Sequence, residues 1–232
     1  MATLYRFRFN EAALPEKNRI WRVLCSDYFK RFIPADATVL DLACGYGEFI
    51  NNIAARKKYG VDLNADVARF LNNDVTFLNC RADAIVGLPD ASVDVVFTSN
   101  FLEHLRSKEE LDGVFLEALR VLKPSGRIVA MGPNIRFLAD KYWDFYDHYL
   151  PLSHLSLEEG LVQAGFEVET VIAKFLPYTT RSALPKNPGL IALYLRMPLA
   201  WQILGKQFLV VGRRPHKASD NVRRMATVAA SG

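Results

Sequence analysis

Two glycines and three acidic residues in the first half of the chain stand where apolar, strand-like runs end: Gly45, Gly47, Asp41, Asp62 and Asp83. Ligands of parallel sheets bind beyond the carboxyl ends of the strands, so these residues are expected to lie along one edge of a sheet. Glycine allows the backbone to approach a ligand closely. A carboxylate after the second strand can accept hydrogen bonds from both hydroxyls of a ribose. The spacing therefore predicts a nucleoside site.

The glycine loop discriminates between two cofactor classes. A dinucleotide loop reads G-x-G-x-x-G, but the third glycine position is Ile50 in this chain. Asp41 would also place a negative charge beside a pyrophosphate, which is unfavourable. That acid instead favours a nucleoside with an ammonium group and no phosphate, such as S-adenosylmethionine (SAM). Two alternatives stay open, an NAD-dependent oxidoreductase and a SAM- or nucleoside-binding regulatory module without catalysis.

Alternating strand-like and helix-like segments must position these residues. The first part of the chain predicts strands at 38–42, 58–63, 75–78, 94–98 and 127–131, and helices at 17–32, 48–57, 65–72 and 109–122. This alternation predicts an α/β fold built from right-handed βαβ units. We expect a central, mostly parallel sheet with helices on both of its faces.

The second half of the chain has a different pattern. Ser156 and Glu159 predict the capping box of a helix that ends at Gly165. Further predicted elements are strands at 166–172 and 207–211 and, between them, an apolar helix at 190–204 kinked at Pro198. We expect the two strands to form an antiparallel pair at the edge of the sheet. The helix is interpreted as an ordinary amphipathic one, with a lid, a dimer face or a surface for a lipid-linked substrate as alternatives.

Five motifs resemble those of the class I SAM-dependent methyltransferases, in the order and spacing of that family. The motifs are VLDLACGYG (39–47), YGVD (59–62), ADA (82–84), DVVFTSNFLEHL (94–105) and LRVLKPSGR (119–127). The chain is similar in particular to the small-molecule branch, which includes the ubiquinone-biosynthesis methyltransferases. The resemblance implies a Rossmann-like class I methyltransferase fold and SAM as the cofactor.

The resemblance also implies roles for the matched residues. The cofactor-binding residues would be Asp41, Ala43, Gly45 and Gly47 at the methionine part, Asp62, Leu63, Asp83 and Ala84 at the ribose and adenine, and Ser99 and Asn100 beside the methyl donor. Ala43 departs from the family, which usually has glycine there, and its small side chain is expected to leave binding intact. Glu103 and His104 are family landmarks, and we expect a structural hydrogen-bonding role for Glu103.

An aromatic segment with two histidines follows the fifth strand, where the family's substrate loop lies. It resembles a subset of bacterial enzymes linked to surface-glycan or secondary-metabolite clusters. His148 and His154 are candidate general bases, because imidazole titrates near neutral pH. The residues expected to contact the acceptor are Trp143, Tyr146 and Asp147. We therefore predict methyl transfer to a small molecule, at an oxygen of a sugar, a glycan precursor or a metabolite.

Charge and length limit the remaining possibilities. The 232 residues carry a net charge of +4, and residues 213–232 contain five basic residues and one acidic residue, so the rest of the chain is neutral. A neutral body disfavours nucleic acid as a partner. We predict one domain over residues 1–212, with a helical lead-in at 1–36 and an acceptor-binding segment at 134–160. The basic tail at 213–232 is expected to be flexible.

Cysteine usage and hydropathy suggest a location. Three cysteines without paired spacing, Cys25, Cys44 and Cys80, predict neither a disulfide framework nor a zinc site, and we expect no metal. A reducing, cytoplasmic setting is the simplest interpretation. The start of the chain does not resemble a signal peptide, and no run has the length and continuity of a membrane span. A homodimer stays open.

Overall fold

One mixed sheet organises residues 14–178 and 187–216, the part of the chain that the computed structural model describes. Its strands are β1 (Thr38–Leu42), β2 (Lys57–Val61), β3 (Val75–Leu78), β4 (Val93–Ser99), β5 (Leu122–Pro133), β6 (Glu167–Ile172) and β7 (Gln207–Arg213). The spatial order is β3-β2-β1-β4-β5-β7-β6. Neighbours from β3 to β5 pair in parallel, whereas β7 runs antiparallel to both β5 and β6. This confirms the predicted α/β class and its antiparallel C-terminal pair.

Helices cover both faces of the sheet. They are α1 (Leu14–Val23), α2 (Lys108–Val121), α3 (Ile135–Leu138), α4 (His154–Ala164), α5 (Pro188–Leu195) and α6 (Pro198–Leu204). Successive side chains of a strand point to opposite faces. In β4, Val96 therefore joins the core beneath α2 and α4, while Phe97 joins the core beneath α1 and α5. Both residues are fully buried, which explains the unbroken apolar sequence of this strand.

The predicted domain and its C-terminal tail extend beyond the part of the chain that the structure describes. Residues 1–13 of the predicted lead-in and residues 217–232 of the predicted tail lie outside the described part of the chain. Within the lead-in, α1 continues as a π-helical turn and then a 3-10 turn as far as Arg31. The helical prediction for 17–32 is confirmed, with a change of helix type near its end. The extent of a single domain over 1–212 stays a prediction.

The predicted helix at 48–57 is wrong. Residues 44–53 form a series of turns, with backbone bonds such as Asn51 N to Gly47 O (2.9 Å). Asn52 Nδ2 donates to Glu48 O (2.8 Å), the carbonyl that the next helical turn would use. The side chain of Asn51 instead bonds to Phe70 O and to the backbone N of Asn72. Asparagine side chains that bond to backbone compete with the helix ladder, and this segment shows that competition.

Two other predicted helices have different limits. The capping box of α4 is formed by Ser153 and Ser156 rather than by Ser156 and Glu159, so the helix begins three residues earlier than predicted. Gly165 ends it in a left-handed conformation, as expected. The apolar segment at 190–204 is two helices rather than one kinked helix. Pro198 starts the second, because proline fits the first turn of a helix and disrupts its interior.

Candidate functional site

The loop after β1 and the end of β2 are joined through Asp62. One carboxylate oxygen of Asp62 accepts a hydrogen bond from the backbone N of Gly45 (3.0 Å). The other accepts from the backbone N of Asn64 (2.9 Å). Asn79 Nδ2 also donates to the backbone carbonyl of Asp62 (2.9 Å), which ties the end of β3 to the same point. The predicted meeting of the glycine loop with the acid after the second strand is therefore present.

Three acids give this corner a concentrated negative charge. Asp41 is 3% exposed, and its pKa is raised well above the usual range by burial, then by the charges of Glu48 and Asp62. Burial also raises the pKa of Asp62, although hydrogen bonds from Asn64 and Gly45 oppose that effect. A cation placed here would relieve the repulsion between these carboxylates. A sulfonium or ammonium group fits this donor set, whereas a pyrophosphate does not.

The glycine loop needs left-handed backbone. Gly45 and Gly47 have φ of +51° and +76°, in the region that glycine enters at no steric cost. A Cβ on Gly47 would lie 2.6 Å from Asn51 Nδ2 and 2.7 Å from Leu71 Cδ2. Ala43 has a φ of +56° as well, although it carries a Cβ. The glycine that the family usually has at this position is thus explained by backbone geometry rather than by side-chain size.

Replacing Ala43 by glycine is expected to stabilise the protein by about 1 kcal/mol. Left-handed backbone costs a residue with a Cβ about 1–2 kcal/mol, and the greater unfolded-state entropy of glycine offsets part of that gain. Urea denaturation of both proteins measures the difference. Ala65→Gly is the matched control, since Ala65 lies in a 3-10 turn without positive φ and should lose stability. Equal or lower stability of Ala43→Gly would show that the loop is unstrained.

The other residues predicted to bind the cofactor differ in their exposure and in their hydrogen bonds. Leu63 is 60% exposed, which leaves its side chain open to a planar ligand. Asn100 has a φ of +51° at the end of β4, and its Nδ2 donates to Ser99 Oγ (3.0 Å). Ala84 is exposed. Each of these positions is available for contact.

Asp83 is engaged elsewhere. Its two carboxylate oxygens accept bonds from Arg81 at 2.8 and 2.6 Å, and this pairing lowers its pKa. A Cβ on Gly113 of α2 would be 3.3 Å from Asp83 Cβ, so the side chain lies against that helix. The role that the resemblance implies for Asp83, contact with the adenine amine, would require it to share its carboxylate with Arg81.

A second polar cluster follows β4. Glu103, His104 and His148 each offer an atom within 4.8 Å of the other two. Glu103 is 2% exposed and His148 is 5% exposed. His104 Nδ1 lies 2.8 Å from the backbone carbonyl of Asp147 and 3.5 Å from its Oδ2. Burial raises the pKa of Glu103 to about 7, more than the neighbouring His104 lowers it.

Sequence reasoning did not identify this cluster. His148 was expected to act as a general base, and Glu103 was expected to have a structural role. The adjacent Glu103 and His104 in the fourth motif are the signal that was present, but their partner lies 44 residues later in the chain. The aromatic rings of Phe145 and Tyr142 pack on His148 at centroid distances of 4.7 and 4.8 Å and hold its orientation.

His154 lies apart from this cluster. Its Nδ1 is 2.9 Å from Asn134 Nδ2, and its ring stacks on Phe137. Burial and the charge of Arg136 lower its pKa. The structure thus places the two candidate bases in separate surroundings.

Two of the residues predicted to contact the acceptor have exposed side chains. Trp143 is 53% exposed and Tyr146 is 84% exposed.

Comparison with known proteins agrees with the geometry. Residues 40–130, which contain the acidic corner as well as Glu103 and His104, match the family model of a methyltransferase domain. A Mycolicibacterium smegmatis protein described as a probable SAM-dependent methyltransferase is 34% identical over 158 residues, 61% of this chain and 56% of that protein. Residues 40–130 are thus similar to a methyltransferase domain, and the chain is similar to a protein described as a SAM-dependent methyltransferase. The Bacillus subtilis protein YqeM, also described as a methyltransferase, is 31% identical over 124 residues, 50% of this chain and 42% of YqeM.

Solved structures show that the similarity of fold extends past residues 40–130. A methyltransferase from Haloferax volcanii, solved in complex with the Trm112 activator, has a TM-score of 0.66 at 18% identity. The alignment covers 92% of this chain and 98% of the Haloferax volcanii chain. A SAM-dependent methyltransferase from Archaeoglobus fulgidus has a TM-score of 0.60 at 21% identity, over 83% and 94% of the two chains. The chain spans about half the length of the curated relatives it matches. Within the described residues, no helix has the length and apolar character needed to cross a bilayer.

Proposed function

We propose that this methyltransferase domain transfers a methyl group from SAM to an oxygen of a small molecule, such as a sugar, a glycan precursor or another metabolite. The observation that carries the cofactor assignment is the buried Asp41 beside Glu48 and Asp62. Desolvated like charges at the carboxyl ends of β1 and β2 favour a cationic nucleoside and disfavour a dinucleotide. This weighs against the NAD-dependent oxidoreductase considered from the sequence.

Asp62 has the geometry to hold the ribose. Each carboxylate oxygen accepts one backbone hydrogen bond and keeps a lone pair for a ribose hydroxyl. Asp41 and the loop at Gly45 would face the methionine part, where the ammonium group meets negative charge. When bound, SAM supplies an electrophilic methyl group on a positively charged sulfur. The task of the chain is then to hold the acceptor in line and to remove its proton.

The acceptor side of the proposed site is the cluster of Glu103, His104 and His148. Glu103 and His104 directly follow the end of β4, the strand next to β1. A Cβ on Gly132 of β5 would lie 3.5 Å from Glu103 Oε2, so the carboxylate lies at the carboxyl end of the next strand along. Within this cluster, His148 is the group that would take the proton from an acceptor hydroxyl.

The surroundings of His154 suit this task less well. Asn134 also donates to the carbonyl of Ala173 (2.8 Å) through Nδ2, so its amide orientation is fixed by two acceptors. His154 Nδ1 then accepts a hydrogen bond, and the neutral ring carries its proton on Nε2. A base needs a free lone pair, which this tautomer does not present to solvent. Of the two candidate bases, the proposal keeps His148.

Cofactor binding is expected to release protons at pH values where Asp41 and Asp62 are partly protonated in the free protein. The pKa values of Asp41 and Asp62 are raised in the free protein, and a bound cation favours their ionised forms. SAM affinity should therefore rise with pH until both acids are ionised in the free protein. Calorimetry over a range of acidic to neutral pH in phosphate and in imidazole buffer, whose ionisation heats differ, measures the protons released. Asp41→Asn should reduce the release, and equal enthalpies in the two buffers would contradict the linkage.

Transfer itself is tested with methyl-labelled SAM. The protein is incubated with a small-molecule extract, and the labelled product is identified by mass spectrometry. A labelled hydroxyl-derived methyl ether supports the proposal. SAM binding without any labelled product would favour the regulatory module. Tight NADH binding with no SAM binding would favour an oxidoreductase.

A further inference from the structure

The cluster of Glu103, His104 and His148 offers more ligand atoms than the removal of one proton requires. It contains two imidazole rings and one carboxylate, and their ligand atoms all lie within 4.8 Å of one another. Imidazole nitrogens suit Zn²⁺ and similar transition metals, while a carboxylate adds an anionic ligand. Binding one ion would require these atoms to move closer together, since Zn²⁺ bonds to nitrogen and oxygen are about 2.0–2.2 Å long.

A separate observation points to a ligand at this place. Glu103 Oε1 is buried and has no hydrogen-bond partner among the described residues. A buried polar atom without a partner is costly, and most such atoms in native proteins are satisfied by a protein group, a water or an ion. The carboxylate is thus held out of water with one oxygen free to ligate.

The surroundings of His104 also match those of a metal ligand. Its Nδ1 lies 2.8 Å from the carbonyl of Asp147, so Nδ1 carries the proton and Nε2 is free. Metal-bound histidines typically donate their second ring N–H to a carbonyl or carboxylate, which fixes the tautomer and aims the other nitrogen at the ion. Asp147 supplies this second contact through its backbone.

We propose that Glu103, His104 and His148 bind a divalent transition-metal ion of the Zn²⁺ type. Three protein ligands leave a coordination position open, as in catalytic rather than structural sites. An acceptor hydroxyl could occupy it, and the ion would lower the pKa of that hydroxyl so that its proton passes to water. This last role rests on the proposed function, and it makes His148 a ligand instead of the proton acceptor. The metal site itself does not depend on that role.

Titration with Co²⁺ tests the site, because Co²⁺ takes Zn²⁺-like geometry and its absorption reports ligand number. Protein stripped with EDTA is titrated with CoCl₂, and then with ZnCl₂ in competition. A Cys80→Ser background removes a partly exposed thiol that could bind the probe ions. We expect one equivalent of Co²⁺ to bind, displaced by Zn²⁺ and not by Mg²⁺.

Variants locate the ion. Glu103→Gln and His148→Gln should each weaken Co²⁺ binding at least about 10-fold, the loss that even outer-shell partners produce. His216→Gln is the matched control, since His216 is exposed and far along the chain, and it should bind as the parent does. Because Glu103 and His148 are buried, His104→Gln provides a variant at a partly exposed position, and thermal melts check folding.

The outcomes separate the two proposals. No saturable Co²⁺ binding, or equal affinity in the parent and all three cluster variants, would overturn the metal site. Loss of binding in the cluster variants with unchanged SAM affinity would support it. If the parent binds Co²⁺ but neither binds SAM nor forms labelled product, the metal site stands and the proposed function fails.

Discussion

Replacing Asp62 by alanine is expected to weaken SAM binding by about 3 kcal/mol, a factor of roughly 150 in Kd. The substitution removes charge-assisted hydrogen bonds to the ribose, which are worth about 1.5–3 kcal/mol. It also removes the acceptor of the Gly45 and Asn64 backbone N–H groups, so the glycine loop loses its tether to β2. Both losses act on the same ligand, which places the effect at the upper end of that range. Isothermal titration calorimetry measures it directly.

Two further variants separate these contributions. Asp62→Asn keeps one acceptor oxygen and loses the charge, so its affinity should lie between those of the parent and Asp62→Ala. Asp66→Ala removes an exposed acid from the turn that follows and should bind SAM as the parent does. Unchanged affinity in Asp62→Ala would remove this carboxylate from the cofactor site and with it the main support for the proposed function.

Replacing His148 by glutamine is expected to slow methyl transfer at least about 100-fold while leaving SAM affinity unchanged. Loss of a positioned proton acceptor typically costs a factor of about 10²–10⁴, and loss of a metal ligand would have a similar result. SAM affinity should hold because the acidic corner around Asp41 and Asp62 is built by other strands. The measurement is single-turnover transfer from labelled SAM to the acceptor identified in the extract.

His154→Gln is the informative comparison for this experiment. Its hydrogen bond from Asn134 lies outside the cluster, so we expect the substitution to slow transfer less than about 10-fold. His216→Gln, at an exposed histidine, should not affect the rate. If His154→Gln is the more damaging change, the acceptor lies toward α4, and His154 replaces His148 as the base.

Local sequence patterns determined much of the fold and one half of the candidate site. Buried parallel strands read as continuous apolar runs, and β4 was visible for that reason. Glycines and acids at strand ends mark where a parallel sheet binds ligands, so Asp41 and Asp62 could be predicted as cofactor-binding residues before any coordinates. These features depend on neighbours within a few residues, which is the range over which a sequence can be read directly.

Tertiary structure decided the rest. The segment at 48–57 has helical spacing, but the side chain of Asn51 bonds to the backbone of Phe70 and Asn72, which the fold brings near, and the helix does not form. The positive φ of Ala43 is set by the turn between β1 and the loop. The choice of Ser153 over Ser156 as the cap of α4 follows from which helix face meets the core, where Leu157 and Leu161 are buried.

The second polar cluster shows the same limit most clearly. Glu103 and His104 lie at the end of one strand, while His148 arrives from a loop after the next strand of the chain. Their proximity depends on how that loop folds back, since Tyr149 and Leu150 donate backbone hydrogen bonds to the carbonyl of Glu103. Contacts between residues far apart in sequence are closed by packing, and no local spacing records them. The sequence alone therefore indicated the corner that we propose binds the cofactor, and only the folded chain brought together Glu103, His104 and His148.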